Sequence, residues 1–253
     1  MRVQLQHAYI LHRRAYKDTS LIVELWTREF GRLSAVARGA RRSRNNALIQ
    51  PFQPIFCSWF GRGELFTLGK VEPAGVYQKI NGHFVLSGLY LNELLMRLVP
   101  KEEQLDELYR YYEEAVAGLT QLSTAWDEHQ VDQNKPDLTE QRILRRFETG
   151  LLKQLGYGLD LSAENGTGTP ICITSRYTFI PEKGLVQVPQ NNTGVWSVSG
   201  ASLLALATDQ LDSAENLREI KRLLRYILDQ YLGDRPLQSR QLRQMYERQK
   251  KLK

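Results

Sequence analysis

The sequence predicts an α+β protein: a small N-terminal β-barrel or sandwich followed by a mainly helical body. Three observations carry that prediction. The first 75 residues break into short apolar runs separated by glycine turns, as in small all-β domains. After Gly82 the apolar residues switch to helical spacing. Positive charge is concentrated at the two ends of the sequence, with an acidic middle.

In chain order, Ala8–Arg13 (AYILHR), Ser20–Trp26 (SLIVELW) and Arg32–Arg38 (RLSAVAR) read as strands, the last two joined at Gly31. Pro54–Gly61 and Glu64–Glu72 form a second pair around Gly61-Arg62-Gly63. Helices follow. Ser87–Pro100 places Leu91, Leu94, Leu95 and Leu98 on one side and stops at Pro100, and a second helix runs from Gln104 to Leu122. Thr124–Asp137 is a polar, proline-bearing linker. A strongly amphipathic helix spans Thr139–Leu155 and is closed by Gly156 and Gly158. Residues 157–197 are rich in Gly, Thr, Asn and Pro, with β-like fragments ICIT, RYTFIP and GLVQV. Helical periodicity returns for the remainder of the chain.

With 253 residues the chain can hold one large domain or two to three small ones. No apolar run approaches the roughly 18 residues of a membrane span, and the N-terminus breaks its apolar stretch too early for a secretory signal. Only two cysteines, Cys57 and Cys172, are present, so no disulfide framework is indicated and a cytoplasmic protein is the economical reading. The net charge of +6 conceals a pattern. Residues 1–50 carry ten Lys/Arg against three Asp/Glu, and residues 217–253 carry eleven against four. Clustered cations displace condensed counterions from a phosphate backbone, which favours a polyanion partner; on charge alone, a solvated basic surface explains the count as well.

Signatures of covalent or metal catalysis are missing: there is no GxxxxGK[ST], GxSxG or HExxH, and the four histidines are scattered. No enzyme chemistry and no cofactor are expected. The strongest local signal is the segment after the third strand, where Arg38, Arg41, Arg42 and Arg44 fall within seven positions and no acid occurs between Glu29 and Glu64. A loop between barrel strands is a common grip for single-stranded nucleic acid, by charge along the backbone and aromatic stacking under bases. These four with Arg32 are the candidate contacts. Of the nearby aromatics, Phe56 and Phe60 are expected in the core, while Phe52 and Trp59 are left open.

On the 139–155 helix, Ile143, Leu144, Phe147, Leu151, Leu152 and Leu155 form a broad apolar side, with Arg142, Arg146 and Lys153 opposite. Arg145 lies at the edge of the apolar stripe. A rim guanidinium suits a ligand ending in a hydrophobic side chain and a carboxylate, but from the residues alone a core helix with a snorkelling arginine is the better reading. Near the C-terminus, Lys221, Arg222 and Arg225 stand off the packing side formed by Ile220, Leu223, Leu224, Ile227 and Leu228. A solvated helix and a nucleic-acid contact explain them equally.

Taken together, these stretches resemble the RecO family of bacterial DNA repair proteins. The opening residues through RGAR (Arg38–Arg41) resemble its first barrel strands and basic KGAR loop, and LSGLYLNELLMRLV its first helix. ILRRFETGLLKQLGYG resembles its LRRFE helix, and YLGDRPLQSRQL its C-terminal signature. The resemblance implies an OB-fold over residues 1–80 and a helical domain over 81–253, interrupted by an irregular β-containing insertion at 157–197. It implies binding of single- and double-stranded DNA, annealing of complementary strands and, with RecR, loading of RecA on DNA coated by single-strand binding protein (SSB), in the cytoplasm at the nucleoid. It also implies docking of the acidic, Phe-ending SSB tail on the helical domain, making Arg145 the leading contact, with Arg142, Phe147, Leu151 and Leu152 around it. Arg32, Arg38, Arg41, Arg42, Arg44, Lys221, Arg222 and Arg225 are the expected DNA contacts. Many relatives hold zinc with four cysteines after LGYG; here Cys172 stands alone, so no structural zinc is expected. An RNA-binding barrel without annealing activity is the alternative.

Overall fold

A computed structural model describes residues 2–75, 79–128, 138–157, 161, 163–164, 167–189 and 194–251. The chain divides into two compact units, residues 1–131 with 237–253 and residues 132–236. The polar linker expected at 124–137 falls largely outside the described residues, since 129–137 are not described.

Five strands build the first unit's barrel: β1 (Arg2–Tyr16), β2 (Ser20–Thr27), β3 (Gly31–Ala37), β4 (Pro54–Phe60) and β5 (Leu65–Pro73). They close in the order β1-β2-β3-β5-β4, with β3 and β5 parallel and the other pairs antiparallel. This is the five-stranded topology of an OB-fold. Closure depends on β1, whose fifteen residues run well beyond the apolar run Ala8–Arg13. Its first half pairs with β4 and its second half with β2, and irregular register at Ile10/His12 and Val3/Gln6 lets it bend. Alternate residues point inward: Val23 and Leu25 of β2, Leu33 and Ala35 of β3, and Ile55, Cys57 and Trp59 of β4 are buried in one core.

The same unit contains α1 (Phe84–Leu98), α2 (Asp106–Asp127) and the C-terminal α6 (Gln238–Lys251). Asn92 of α1 ties helices to barrel, donating to the Leu11 carbonyl at 2.7 Å while its oxygen accepts from Tyr112 at 2.7 Å. Glu93 of α1 caps α6 in place of a local residue, accepting from the backbone N–H groups of Gln238 and Ser239, each at 2.8 Å.

The second unit comprises α3 (Leu138–Gln154), a small sheet ordered β7-β6-β8 from β6 (Arg176–Ile180), β7 (Gly184–Gln187) and β8 (Val198–Ser199), then α4 (Gly200–Ala207) and α5 (Ala214–Leu232). Helix α3 ends at Gly156 as its sequence predicts. Gly156 has φ +72°, and Tyr157 N–H and Gly156 N–H reach back to the carbonyls of Leu152 and Lys153 at 3.0 and 3.2 Å, a Schellman closure. Of the three β-like fragments, RYTFI and GLVQ form strands, whereas ICIT forms none and turns at Ile173-Thr174. Among the described residues no helix is long and apolar enough to cross a membrane.

Candidate nucleic-acid interface

The arginine segment sits where the barrel's antiparallel register puts it. Leu21 pairs with Ala37, so the chain leaving β3 runs alongside the β1–β2 turn at Lys17–Thr19. Gly39 makes the bend in the left-handed region, at φ +65°. Arg41 then docks on the turn: its N–H donates to the Thr19 carbonyl at 2.9 Å, and its Nη1 donates to the Asp18 carbonyl at 2.9 Å. Arg13 secures the far end of the segment by donating to Asn46 Oδ1 at 2.8 Å and the Ile49 carbonyl at 3.1 Å. These bonds orient the loop without neutralising it, because the acceptors are carbonyls and an amide. Arg38, Arg41 and Arg42 are exposed, and the side chains of Arg38 and Arg42 make no hydrogen bond or ion pair among the described residues. The Arg44 side chain lies outside the described residues.

Two further cations belong to this end of the barrel and escaped the reading of the sequence. Arg14 and Lys17, at the tip of the β1–β2 hairpin, are exposed. The signal was the hairpin itself: once Tyr16 pairs with Ser20, Lys17 must lie in the turn on which Arg41 docks.

Arg32 does not join them. Its Nε and Nη2 donate to the Val99 carbonyl at 3.2 and 3.0 Å, and its Nη1 pairs with Glu24 at 3.3 Å. Both partners hold it as a structural clamp between β3 and the end of α1. The absence of acids along the local sequence concealed a carboxylate one strand away. The two aromatics expected in the core lie outside it, and the two left open lie inside. Trp59 is fully buried and Phe52 nearly so, whereas Phe56 and Phe60 are 40% and 49% exposed on the outer face of β4. The strand's phase is set by Ile55, Cys57 and Trp59 facing inward, which sends Phe56 and Phe60 outward.

In the second unit, Lys221, Arg222 and Arg225 of α5 are exposed, as the wheel predicted, over a side on which Ile220, Leu223, Leu224, Ile227 and Leu228 are buried. Arg218 extends the row by one turn. Arg225 faces Asp229 at 3.8 Å, too far for a tight ion pair.

The apolar side of α3 is real, with Phe147, Leu151 and Leu152 buried. Its rim arginine is not where the helical wheel puts it. Arg145 is only 4% exposed, and its Nη2 pairs with the equally buried Glu148 at 2.5 Å. Its Nε is buried and has no hydrogen-bond partner among the described residues. A wheel assigns an angle, and here the packed side is wide enough to enclose the rim. Arg142 and Arg146 remain at the surface: Arg142 donates to the Leu211 carbonyl at 2.9 Å and pairs with Asp212 at 2.9 Å, and Arg146 faces Asp209 at 3.6 Å. Cys172 is exposed, and hydrogen bonds from Thr174 and Ser175 lower its thiol pKa. Among the described residues no three His, Cys, Asp or Glu side chains converge as metal ligands would.

The chain matches the family profile for the Recombination protein O N terminal domain over residues 1–77 and that for the Recombination protein O C terminal domain over residues 83–241. It is 41% identical to the DNA repair protein RecO of Nitrosococcus oceani over 244 residues, 96% of this chain and 93% of the relative. It is 42% identical to that of Alkalilimnicola ehrlichii, over 95% and 91% of the two chains, and 41% identical to that of Pseudomonas aeruginosa, over 94% and 93%. The chain belongs to the RecO family of DNA repair proteins.

Proposed function

We propose that this protein is a non-enzymatic recombination mediator: it binds single- and double-stranded DNA, anneals complementary strands and, with RecR, promotes RecA loading on SSB-coated DNA, in the cytoplasm at the nucleoid. The observation that carries the reading is the cluster of exposed cations at one end of an OB barrel, where Arg38 and Arg42 face no acid among the described residues and Arg41 is aimed by backbone carbonyls. Annealing needs no catalytic side chain. Two phosphate strands repel, and a surface that neutralises both lowers that barrier with little regard for sequence. Family membership supports the partners.

Docking of the SSB tail belongs to the exposed side of α3 in this proposal. Arg142, with 40% of its side chain exposed, offers a carboxylate a direct grip in exchange for Asp212. Arg145 acts from beneath, holding Glu148 and the packing of Phe147, Leu151 and Leu152.

Annealing of complementary SSB-coated oligonucleotides by the wild type, Arg41→Ala/Arg42→Ala and Arg142→Ala tests both parts. The loop variant is expected to lose annealing of bare and coated strands alike, and Arg142→Ala only that of coated strands. Wild-type annealing by the loop variant would overturn the barrel assignment. A preference for RNA over DNA of matched sequence, with no annealing, would replace the function altogether.

A further inference from the structure

The cationic row on α5 is not bare charge: aromatic rings are built into it. Arg222 places its guanidinium 5.7 Å from the centre of the Trp196 ring. Trp196 lies 5.8 Å from Tyr226, with 35° between the ring planes, and Tyr226 is 40% exposed. Phe179 of β6 backs Tyr226 edge-on at 6.5 Å. The rings are therefore held by neighbours, with Tyr226 exposed and Trp196 half-buried. Arg218, Lys221 and Arg222 stand exposed on the same helix, one or two turns away from Tyr226. Two of the acids on α5 have partners of their own: Glu219 is bonded by Ser199, Ser202 and Arg176, and Asp229 faces Arg225 at 3.8 Å.

Planar rings interleaved with cations match one ligand chemistry, a nucleic-acid strand whose bases are free to stack while its phosphates meet Lys and Arg. A duplex keeps its bases stacked on one another and offers such rings nothing but its backbone. We propose that Trp196 and Tyr226, with Arg222 against the Trp196 ring and Arg218 one turn before it, form a second DNA contact that stacks the bases of single-stranded DNA. The site lets the protein distinguish a single strand from a duplex, which charge alone does poorly. The inference deepens the proposed function and rests on its premise that the protein binds DNA.

Binding of the full-length protein to three probes of equal length separates the contributions: an oligothymidylate, an abasic strand that keeps the phosphates without bases, and a duplex. Tyr226→Ala is expected to lose about tenfold in affinity for oligothymidylate, a typical loss for one stacked base, with binding to the abasic strand and the duplex unchanged. Tyr226→Phe keeps the ring and is expected to bind like the wild type. Trp196→Ala, checked for folding by its thermal transition, should follow Tyr226→Ala. Wild-type affinity of Tyr226→Ala for oligothymidylate, or an equal loss on all three probes, overturns the inference while leaving the Arg41/Arg42 reading intact. Failure of the wild-type protein to bind any probe overturns both.

Discussion

The arginine segment after β3 and the arginines of α3 have similar composition but opposite environments. At the barrel end, Arg38, Arg41 and Arg42 project into solvent from a loop that backbone bonds hold in place. On α3, Arg145 is enclosed with Glu148, and Arg142 and Arg146 each face an aspartate. A guanidinium without a carboxylate is available to phosphate; one already paired must exchange partners before it can bind anything. The difference teaches that a count of arginines says little about binding until the carboxylates around them in space are known.

Variants that break this contrast should differ first in stability. Arg145→Ala removes the cation of a buried ion pair and is expected to cost about 3–5 kcal/mol, as breaking such a pair typically does. Chemical denaturation measures this, and DNA affinity of the folded variant should stay at the wild-type level. A loss below about 1 kcal/mol would mean that the pair is solvated and that α3 resembles the barrel loop after all.

Arg176 supplies an intermediate case, half exposed yet bonded to Glu219 at 2.9 Å. Burial pushes the Glu219 carboxyl up, but hydrogen bonds from Ser199, Ser202 and Arg176 outweigh it and hold the pKa at about 2, below the ordinary value of 4.5. A carboxylate whose pKa is depressed on folding contributes stability above its unfolded value and loses it as the pH falls through the folded one. Stability is therefore expected to decline between pH 4.5 and about pH 2, and Glu219→Gln should flatten that decline. Thermal transitions across that pH range provide the check; an unchanged slope in the variant would remove Glu219 as the cause.

Arg32→Ala should show a smaller effect, about 2 kcal/mol, from loss of two bonds to the Val99 carbonyl and the Glu24 pair. The same substitution separates the clamp from its loop neighbours, because DNA affinity should fall far less than in Arg41→Ala/Arg42→Ala. Equal losses of affinity in the two variants would return Arg32 to the interface.

Much of the architecture was legible beforehand for identifiable reasons. Glycine turns and short apolar runs marked the barrel strands, and the packing side of α5 emerged intact because its apolar residues recur at helical spacing. What escaped depends on neighbours distant in sequence. Glu24 reaches Arg32 across two paired strands, Lys17 meets Arg41 only after the hairpin forms, and Arg145 is enclosed by a packed side that its own helix does not reveal. Phe56 and Phe60 were misplaced for a different reason. Every residue from Ile55 to Phe60 except Ser58 is apolar, so hydrophobicity alone leaves the phase of β4 undetermined, and barrel pairing decides it.

The central claim is that unpaired arginines at the barrel end hold phosphate. Its most direct test is the salt dependence of binding to a single-stranded oligonucleotide by the wild type and by Arg41→Ala/Arg42→Ala. Each phosphate contact on a single strand contributes about −0.7 to the slope of log affinity against log salt. The slope is expected to be shallower by about 1.4 in the variant, with stability lowered by about 1 kcal/mol through loss of the Arg41 bond to the Asp18 carbonyl. Identical slopes would contradict it, making the cations of this loop a solvated surface.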